Sequence, residues 1–283
     1  MKIAIVGLGL IGASFGRAAI EYTSHEVYGY DINPAVLKRA DELKAHTRAL
    51  EDGDLKEVDL ALFALNPDIA IAEMKRICPL LKDGAIVADT CGNKRIIADE
   101  MLRLKAQYPH LRFVGFHPMA GREFSGIEYS TPQLFSGAYM ILVPVDGDEA
   151  AAFCLRDICG EICAKRAEIC SAEKHDRMIA YTSQLAHVVS SCYVQNPLSA
   201  EHVGYSAGSF ADLTRVARLD PEMWTELFLQ NADNLSLCIE DMISRLQAML
   251  GAIKCGDGEA LKNMLAYGAA CKELADKKRK EDE

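Results

Sequence analysis

Short apolar runs alternate with amphipathic stretches from the start of the chain to about Ser171. The runs are rich in Ile, Val, Leu and Ala, which is typical of strands buried on both faces of a sheet. The stretches between them repeat their apolar residues with helical spacing. The predicted strands are Lys2–Val6, Glu26–Tyr30, Asp59–Leu65, Ala85–Asp89, Phe113–Gly115, Tyr139–Val143 and Arg166–Cys170. Strands that alternate with helices predict a parallel sheet with helices on both faces.

The pattern changes after Ser171, where strand-like runs disappear and long helical patterns follow. Predicted helices span Ala172–Gln195, Pro221–Ile253 and Gly258–Lys277. Pro197 ends the first, because proline disfavours the helical conformation at the residue before it. Asp220 and Pro221 open the second as N-cap and first helical residue. We therefore predict an α/β domain over residues 1–168 and an all-α domain over residues 169–283.

A glycine-rich turn, Gly7-Leu8-Gly9-Leu10-Ile11-Gly12, follows the first predicted strand, and Asp31 ends the second, 24 residues after Gly7. Strand, glycine turn, helix, strand and acid form the dinucleotide-binding fingerprint of a Rossmann-type domain. Gly7 permits the tight turn, Gly9 lets the backbone approach a pyrophosphate, and Gly12 allows close helix–strand packing. Residues 7–12 and Asp31 are therefore the predicted cofactor-binding residues.

The acid at the end of the second strand also predicts which dinucleotide binds. Asp31 can accept hydrogen bonds from the adenosine ribose hydroxyls, whereas a 2′-phosphate would meet its negative charge. The following Ile32-Asn33-Pro34 offers no arginine to pair with such a phosphate. We therefore predict NAD rather than NADP.

Composition narrows the class of protein further. The 31 Lys and Arg against 41 Asp and Glu give a net charge of −10, which argues against nucleic-acid binding. No apolar stretch reaches the ~18–20 residues of a membrane helix. The ten cysteines include no CxxC pair or zinc-site spacing. We expect a cytoplasmic protein without a metal site, in a reducing compartment.

The first candidate for chemistry is His117, in the segment Gly115–Glu123 directly after a short predicted strand. Substrates of open α/β sheets meet the cofactor at the carboxyl ends of the strands, and a histidine there can act as a general base near neutral pH. The alternative is a histidine packed in a proline turn, which the sequence alone leaves open.

Two further clusters lie in the helical part. His175-Asp176 precedes Ser183, Gln184 and His187, which can share one helix face; a solvated polar face and an interhelix hydrogen-bond network remain alternatives. The segment from Gly208 to Ala217 contains Arg215, whose planar fork suits a carboxylate. Arg215 can instead pair with Asp212 on the helix surface, and Trp224, the only tryptophan, can simply pack in a core.

Together these clusters resemble the prephenate/arogenate dehydrogenase family of tyrosine biosynthesis. The similar segments are GLGLIGAS (7–14), Asp31, GFHPMAGREFSG (115–126), EKHD (173–176), SQLAH (183–187) and SFADLTRVARLDPEMW (209–224). The resemblance implies a Rossmann domain followed by a helical dimerisation domain, and hence a homodimer. It implies NAD-dependent oxidative decarboxylation of prephenate to 4-hydroxyphenylpyruvate and CO2.

The resemblance also implies roles for individual residues. His117 matches the catalytic histidine that holds or takes the substrate hydroxyl proton, and Arg215 the arginine that binds a substrate carboxylate. His187 matches a residue facing the substrate side chain, Glu123 an acid that pairs with the arginine in the empty site, and Trp224 a residue near the substrate. The remaining expected substrate-binding residues are Ser183, Gln184, Gly208, Cys91 and Asn93.

One position departs from the family pattern. The family usually has a serine after the fourth strand that hydrogen-bonds the substrate hydroxyl and the histidine, in a D-x-x-S-x-K pattern. Here the segment reads Asp89-Thr90-Cys91-Gly92-Asn93-Lys94, with Gly92 at the serine position. Cys91, Asn93, Thr90 or a water molecule are the alternatives for this role.

Three alternative functions remain at this point. Arogenate is a second candidate substrate, although prephenate is favoured because no acidic partner for a substrate ammonium is evident. A β-hydroxyacid-type dehydrogenase would rely on a lysine in the helical domain, where this chain has Ser183, Gln184 and His187. A non-catalytic NAD-sensing module would need the glycine turn and Asp31 but neither His117 nor Arg215.

Overall fold

The computed structural model describes residues 1–122 and 124–282. The strands are β1 (Lys2–Val6), β2 (Glu26–Tyr30), β3 (Arg48–Ala49), β4 (Leu60–Phe63), β5 (Ile86–Asp89), β6 (Arg112–Pro118), β7 (Tyr139–Pro144) and β8 (Arg166–Ile169). They form one sheet in the order β3-β2-β1-β4-β5-β6-β7-β8.

Helices occupy most of the connections between strands, and all the elements after β8 are helical. They are α1 (Leu10–Tyr22), α2 (Pro34–Leu43), α3 (Pro67–Ile77), α4 (Arg95–Gln107), α5 (Glu149–Glu161), α6 (Ala172–Ile179), α7 (Leu185–Val194), α8 (Gly208–Thr214), α9 (Pro221–Gln230), α10 (Ala232–Cys255) and α11 (Gly258–Asp282). A single π-helical turn, Ala180–Gln184, joins α6 to α7. The predicted α/β fold with a helical second part is confirmed.

Strand order determines where a ligand can bind. β1 pairs in parallel with both β2 and β4, so the chain reverses its direction of travel across the sheet at β1. β5 and β6 continue the parallel arrangement beyond β4. The ends of β1, β2, β4, β5 and β6 therefore share one edge, called the carboxyl edge below. In open α/β sheets, such a reversal of strand order marks the ligand crevice.

Two details of the predicted sheet are wrong. β7 runs antiparallel to β6, because residues 119–138 between them form no α-helical crossover in the part the structure describes. β6 is also longer than the predicted Phe113–Gly115, since its pairing with β7 continues to Pro118 opposite Met140. His117 therefore lies inside β6, opposite Ile141, rather than in a turn after the strand.

The helical elements also differ in detail from the prediction. α2 was missed, although Asn33 caps it through a hydrogen bond from the Ala35 N–H (3.0 Å) and Pro34 occupies its first position. The predicted helix Ala172–Gln195 contains the π-helical turn. The predicted helix Pro221–Ile253 divides at Asn231 into α9 and α10.

The core lies on both faces of the sheet. On one face, Phe15 of α1 packs edge-to-face on Phe116 and Phe135, with both ring centroids 6.1 Å away. On the other face, Phe63, Phe113 and the residues of α3 and α4 form a second apolar cluster. Both layers are buried, so the strand ends at the carboxyl edge are held by packing on either side.

The chain forms two compact units, Met1–Asn231 and Ala232–Glu283. The second unit consists of α10 and α11. In the described residues, no helix is both long and apolar enough to cross a membrane. All ten cysteines are free thiols. The predicted boundary between residues 168 and 169, like the cytoplasmic location, stays a prediction.

Two glycines of the turn permit a matched test of packing. A Cβ at Gly12 would lie 2.0 Å from the Gly7 carbonyl oxygen, whereas a Cβ at Gly9 would meet no atom within 4 Å. We expect Gly12→Ala to lower the free energy of unfolding by about 1–3 kcal/mol, as overpacking does. Gly9→Ala should cost less than about 1 kcal/mol. Urea titrations measure both; an equal loss would contradict the packing role of Gly12.

Candidate active site

The glycine turn after β1 has the backbone geometry that the fingerprint predicts. Gly7 has φ +94°, and a Cβ there would lie 2.5 Å from the Ala64 carbonyl oxygen, so only glycine fits. The Leu8 N–H donates to Asp31 Oδ2 (2.9 Å), and the Asn33 N–H donates to Asp31 Oδ1 (2.9 Å). Asp31 is thereby fixed beside the turn, at the end of β2.

The N-terminus of α1 is open to an anion. Gly9 is its N-cap and provides no side-chain cap, and the first turn contains no acidic residue. The first N–H groups of a helix lack intrahelical acceptors and carry partial positive charge. Leu8 is buried, so it contributes only backbone, whereas Leu10 and Ile11 are half-buried. A pyrophosphate fits this arrangement of residues 7–12.

His117 begins a chain of three side chains at the same edge of the sheet. Its Nδ1 lies 2.8 Å from Nε2 of His175, and Nδ1 of His175 lies 2.7 Å from Oδ1 of Asp176. His175 and Asp176 are buried, whereas His117 is half-buried. His117 Nε2 has no hydrogen-bond partner among the residues the structure describes. The sequence pointed to His175-Asp176 as a cluster but not to its contact with His117.

Burial and hydrogen bonds set the charge of these groups. Burial, reinforced by His175 and Lys94, lowers the pKa of His117 well below 6.5. Burial also lowers the pKa of His175, although Asp176 opposes this. For Asp176, burial alone would raise the pKa, but bonds from His175 and the N–H groups of Lys94 and Arg95 outweigh it and lower the pKa. Near neutral pH, His117 and His175 are therefore neutral imidazoles and Asp176 is a carboxylate.

Asn93 and Gln184 belong to a buried amide network, and their predicted contact with substrate stays a prediction. Gln184 Nε2 donates to Asn93 Oδ1 (3.0 Å), and Gln184 Oε1 accepts from Asn231 Nδ2 (2.8 Å). Asn93 Nδ2 donates to the Leu227 carbonyl oxygen (2.8 Å). Both amides are thus satisfied within the protein. They join the loop after β5 to α6–α7 and α9, and so position the site from behind.

Cys91 is one of the alternatives for the role of the missing serine, and that role stays a prediction. Its side chain is buried, with Sγ 3.6 Å from the Leu65 carbonyl oxygen, and burial raises the pKa of the thiol well above 9. Its N–H donates to Asp89, which forms a fully buried ion pair with Lys94. Cys91 therefore supports the loop, and its thiol stays protonated.

His187 and Trp224 form a second aromatic surface. Their ring centroids lie 4.0 Å apart with the ring planes tilted by 31°, and His187 Nδ1 donates to the Ser183 carbonyl oxygen (2.8 Å). Ser183 thus contributes its backbone from the π-helical turn, a feature frequent at functional sites. Gln184 Nε2 also donates to the Leu227 carbonyl oxygen (3.2 Å). Gln184 lies three residues before His187, and Leu227 lies three residues after Trp224. The same pair of helices therefore carries the amide network and the aromatic surface.

The remaining predicted residues lie in or near α8. Arg215 follows α8 and is exposed, without an ionic or hydrogen-bond partner in the described part of the chain, and no bond joins it to Asp212. A Cβ at Gly208 would meet no atom within 4 Å. Glu123 lies outside the described residues. Within the described ranges, no group of three or more His, Cys, Asp or Glu side chains is placed to hold a metal ion.

A glycine turn after the first strand, an acid at the end of the second strand and a histidine at the same carboxyl edge are typical of dinucleotide-dependent dehydrogenases. Comparison with known families specifies the class further. The family model described as prephenate dehydrogenase, nucleotide-binding domain, matches residues 15–167. The model described as prephenate dehydrogenase, dimerization domain, matches residues 171–267. The chain belongs to the prephenate dehydrogenase family.

Individual relatives agree with this assignment. A cyclohexadienyl dehydrogenase of Zymomonas mobilis is 31% identical, with 92% of this chain and 90% of that protein covered. The prephenate dehydrogenase of Aquifex aeolicus, solved with hydroxyphenyl propionate and NAD+, is 26% identical, with a TM-score of 0.83 and 97% and 98% coverage. A Synechocystis arogenate dehydrogenase, 24% identical with a TM-score of 0.83 and 97% and 100% coverage, shares the fold.

Leu227 lies close to the space that a side chain at position 92 would occupy. A Cβ at Gly92 would lie 3.0 Å from Cδ2 of Leu227. We expect Gly92→Ser alone to lower kcat/KM, because Leu227 has to shift to admit the added side chain and its carbonyl oxygen accepts hydrogen bonds from the amide network. Combining it with Leu227→Ala should recover part of the loss, as coupled neighbours do. Additive effects of the two substitutions on kcat/KM would contradict this contact.

Proposed function

We propose that the protein catalyses NAD-dependent oxidative decarboxylation of prephenate to 4-hydroxyphenylpyruvate and CO2. The observation on which this rests is His117, half-buried at the carboxyl edge with an unpartnered Nε2. Family membership and the glycine turn at the same edge of the sheet support the same reaction. A packed structural histidine, the alternative from sequence, would have both ring nitrogens bonded internally.

NAD is the cofactor of this proposal. When bound, it accepts the hydride that leaves C4 of prephenate. The open N-terminus of α1 suits the pyrophosphate, and Asp31, held by Leu8 and Asn33, presents its carboxylate to the adenosine ribose. The NAD+ bound by the Aquifex relative supports this choice.

His117 handles the proton of the reaction. Its Nε2 accepts the hydrogen of the C4 hydroxyl as the C4–O bond gains carbonyl character. The bond between the ring and its carboxylate then breaks, CO2 leaves, and the bond's electron pair makes the ring aromatic. The product phenolate regains the proton from His117, so the reaction needs no other acid. A positioned base of this kind contributes ~10²–10⁴ to the rate.

Arg215 binds the substrate side-chain carboxylate in this proposal, and His187 with Trp224 provides the surface for the rest of that side chain. An exposed guanidinium without an internal partner is available for a bidentate bond worth ~1.5–3 kcal/mol. Apart from Glu123, none of the predicted substrate-binding side chains is acidic. A ketone side chain, as in prephenate, therefore suits the site better than the ammonium of arogenate.

The direct test follows NADH absorbance with prephenate and, separately, arogenate. We expect turnover with prephenate at higher kcat/KM, and a 10²–10⁴-fold lower kcat for His117→Asn. NAD affinity, measured by calorimetry, should stay within about 2-fold. No NADH from either substrate would contradict the proposal and favour the β-hydroxyacid-type or NAD-sensing alternative; preferential turnover of arogenate would reverse the choice of substrate.

The same assay tests the charge of His117. Because the neutral imidazole is the base and its pKa lies well below 6.5, kcat/KM should stay level as the pH falls through 6.5. The acid limb should appear only near the lowered pKa, where His117 gains a proton. An acid limb centred at 6.5 or above would show that His117 is not desolvated in this way.

We also propose that the protein is a homodimer through its helical part. Residues 171–267 match the family's dimerization domain. On α10, Ile243, Leu246, Leu250 and Ile253 are all about half exposed, at 47–60% of their surface. Their spacing of three and four residues puts them on one helix face. A second copy of the chain is the occupant that a dimerization domain implies for such a face.

A negative charge introduced on this apolar face of α10 should dissociate the proposed dimer. We expect Leu246→Glu to convert a dimer into a monomer in sedimentation experiments, because a carboxylate in an apolar contact loses its hydration. Ala248→Glu is the matched control, since Ala248 is exposed on the opposite side of α10 at 3.6 residues per turn. A monomeric wild type, or a dimer in both variants, would contradict this interface.

A further inference from the structure

We propose that His175 and Asp176 are positioning residues that hold His117 as the tautomer with its proton on Nδ1 and its lone pair on Nε2. This inference rests on the proposed function, in which Nε2 accepts the substrate hydroxyl proton. The three side chains come from β6 and α6 and contact one another in sequence. None of the comparisons assigns a role to either positioning residue.

Asp176 determines which atoms donate and which accept in the hydrogen bonds that join it to His175 and His117. Asp176 accepts from the Lys94 N–H (2.7 Å) at Oδ1 and from the Arg95 N–H (3.0 Å) at Oδ2. An ionised carboxylate has no proton to give, so His175 Nδ1 must be the donor in its bond to Asp176. Neutral His175 then has a lone pair on Nε2, which can only accept. The donor to it is Nδ1–H of His117.

Neutral His117 therefore has one available tautomer. With its proton on Nδ1, neutral His117 has its lone pair on Nε2, the half-buried end that lacks an internal partner. The opposite tautomer would place an N–H donor there and leave two lone pairs facing each other between His117 and His175. Through His175, the carboxylate of Asp176 thus makes Nε2 of His117 a hydrogen-bond acceptor, and hence a base, rather than a donor.

The charged groups around His117 agree with this assignment. Lys94 faces both imidazoles from the start of α4, and its ammonium is paired with Asp89 of β5. Asp176 faces them from α6. When His117 takes the substrate proton at Nε2, the imidazolium donates through Nδ1 to His175, and Asp176 compensates the added charge from behind. No proton has to move along the chain.

The glycine at position 92 makes the hydrogen bond from His117 Nδ1 to His175 more important for the orientation of the His117 ring. The serine expected from the family pattern would hydrogen-bond the histidine from the substrate side, and glycine offers no hydroxyl. Cys91 and Asn93 are engaged in internal contacts. His175 is therefore the only side chain in the described residues that hydrogen-bonds the His117 ring.

Nitrogen NMR of the free protein tests the tautomer without substrate or cofactor. In ¹⁵N-histidine-labelled protein at neutral pH, we expect a protonated, pyrrole-type Nδ1 and an unprotonated, pyridine-type Nε2 for His117. The His117→Asn variant identifies the signal by its loss. A protonated Nε2 in the wild type would overturn the proposal, whether or not the protein oxidises prephenate.

Variants at His175 test its effect on turnover. His175→Phe removes the acceptor, so the Nε2–H form of His117 should become populated and kcat should fall on the order of 10²-fold, with KM within about 3-fold. His175→Gln keeps one donor and one acceptor, so it should retain more activity than His175→Phe. His110→Phe, on an exposed ring, is the matched control and should behave as wild type.

The variants also separate this role from a purely structural one. Thermal unfolding and NAD titration show whether each variant is folded. If folded His175→Phe has wild-type kcat, or if His175→Gln and His175→Phe lose the same activity, the positioning role is wrong. If wild-type protein oxidises neither substrate yet has the expected tautomer, the proposed function fails and the geometry stands.

Discussion

The buried carboxylate of Asp176 is the interaction on which the site depends. Its two oxygens accept hydrogen bonds from the backbone N–H groups of Lys94 and Arg95 and from the His175 ring. A buried carboxylate needs such donors, because leaving it unpaired would cost several kcal/mol. The negative charge also lies at the N-terminus of α4, where the helix dipole favours it. One side chain thus joins the loop after β5, α4 and α6.

The amide network around Asn231 extends this connection to α9. Asn231 donates to the Asp176 carbonyl (2.9 Å) and to Gln184, and Gln184 in turn donates to Asn93. An unsatisfied buried amide costs about 1–3 kcal/mol, so these side chains tolerate few alternative arrangements. The network therefore holds α9 against the π-helical turn, and Trp224 of α9 packs against His187 of the following helix, α7. Both proposed substrate surfaces are thus supported by buried polar side chains.

Local features of the site were predictable from sequence, and contacts between distant segments were not. The glycine turn and Asp31 belong to a motif whose spacing encodes its geometry, and the strand before His117 was visible as an apolar run. The bond from His117 to His175 spans 58 residues, and no periodicity indicates it. Gln184 looked available on a helical wheel, but the π-helical turn and Asn93 bury it. The antiparallel β7 also escaped prediction, because its direction depends on a connection without helical periodicity.

The missing serine can be understood from the two ends of the imidazole. A histidine that acts as a base needs the lone pair of Nε2 directed at the substrate. In the first arrangement, a serine on the substrate side contacts both the ring and the substrate. In the second, an acceptor behind the ring takes a hydrogen bond from Nδ1–H. Gly92 has no hydroxyl for the first arrangement, and Leu227 closely borders the space that a side chain there would occupy. The second is complete, since His175 accepts and Asp176 fixes its polarity. In the proposed reaction Nε2 is thereby left to the substrate hydroxyl, while His175, fixed by Asp176, holds the ring through Nδ1.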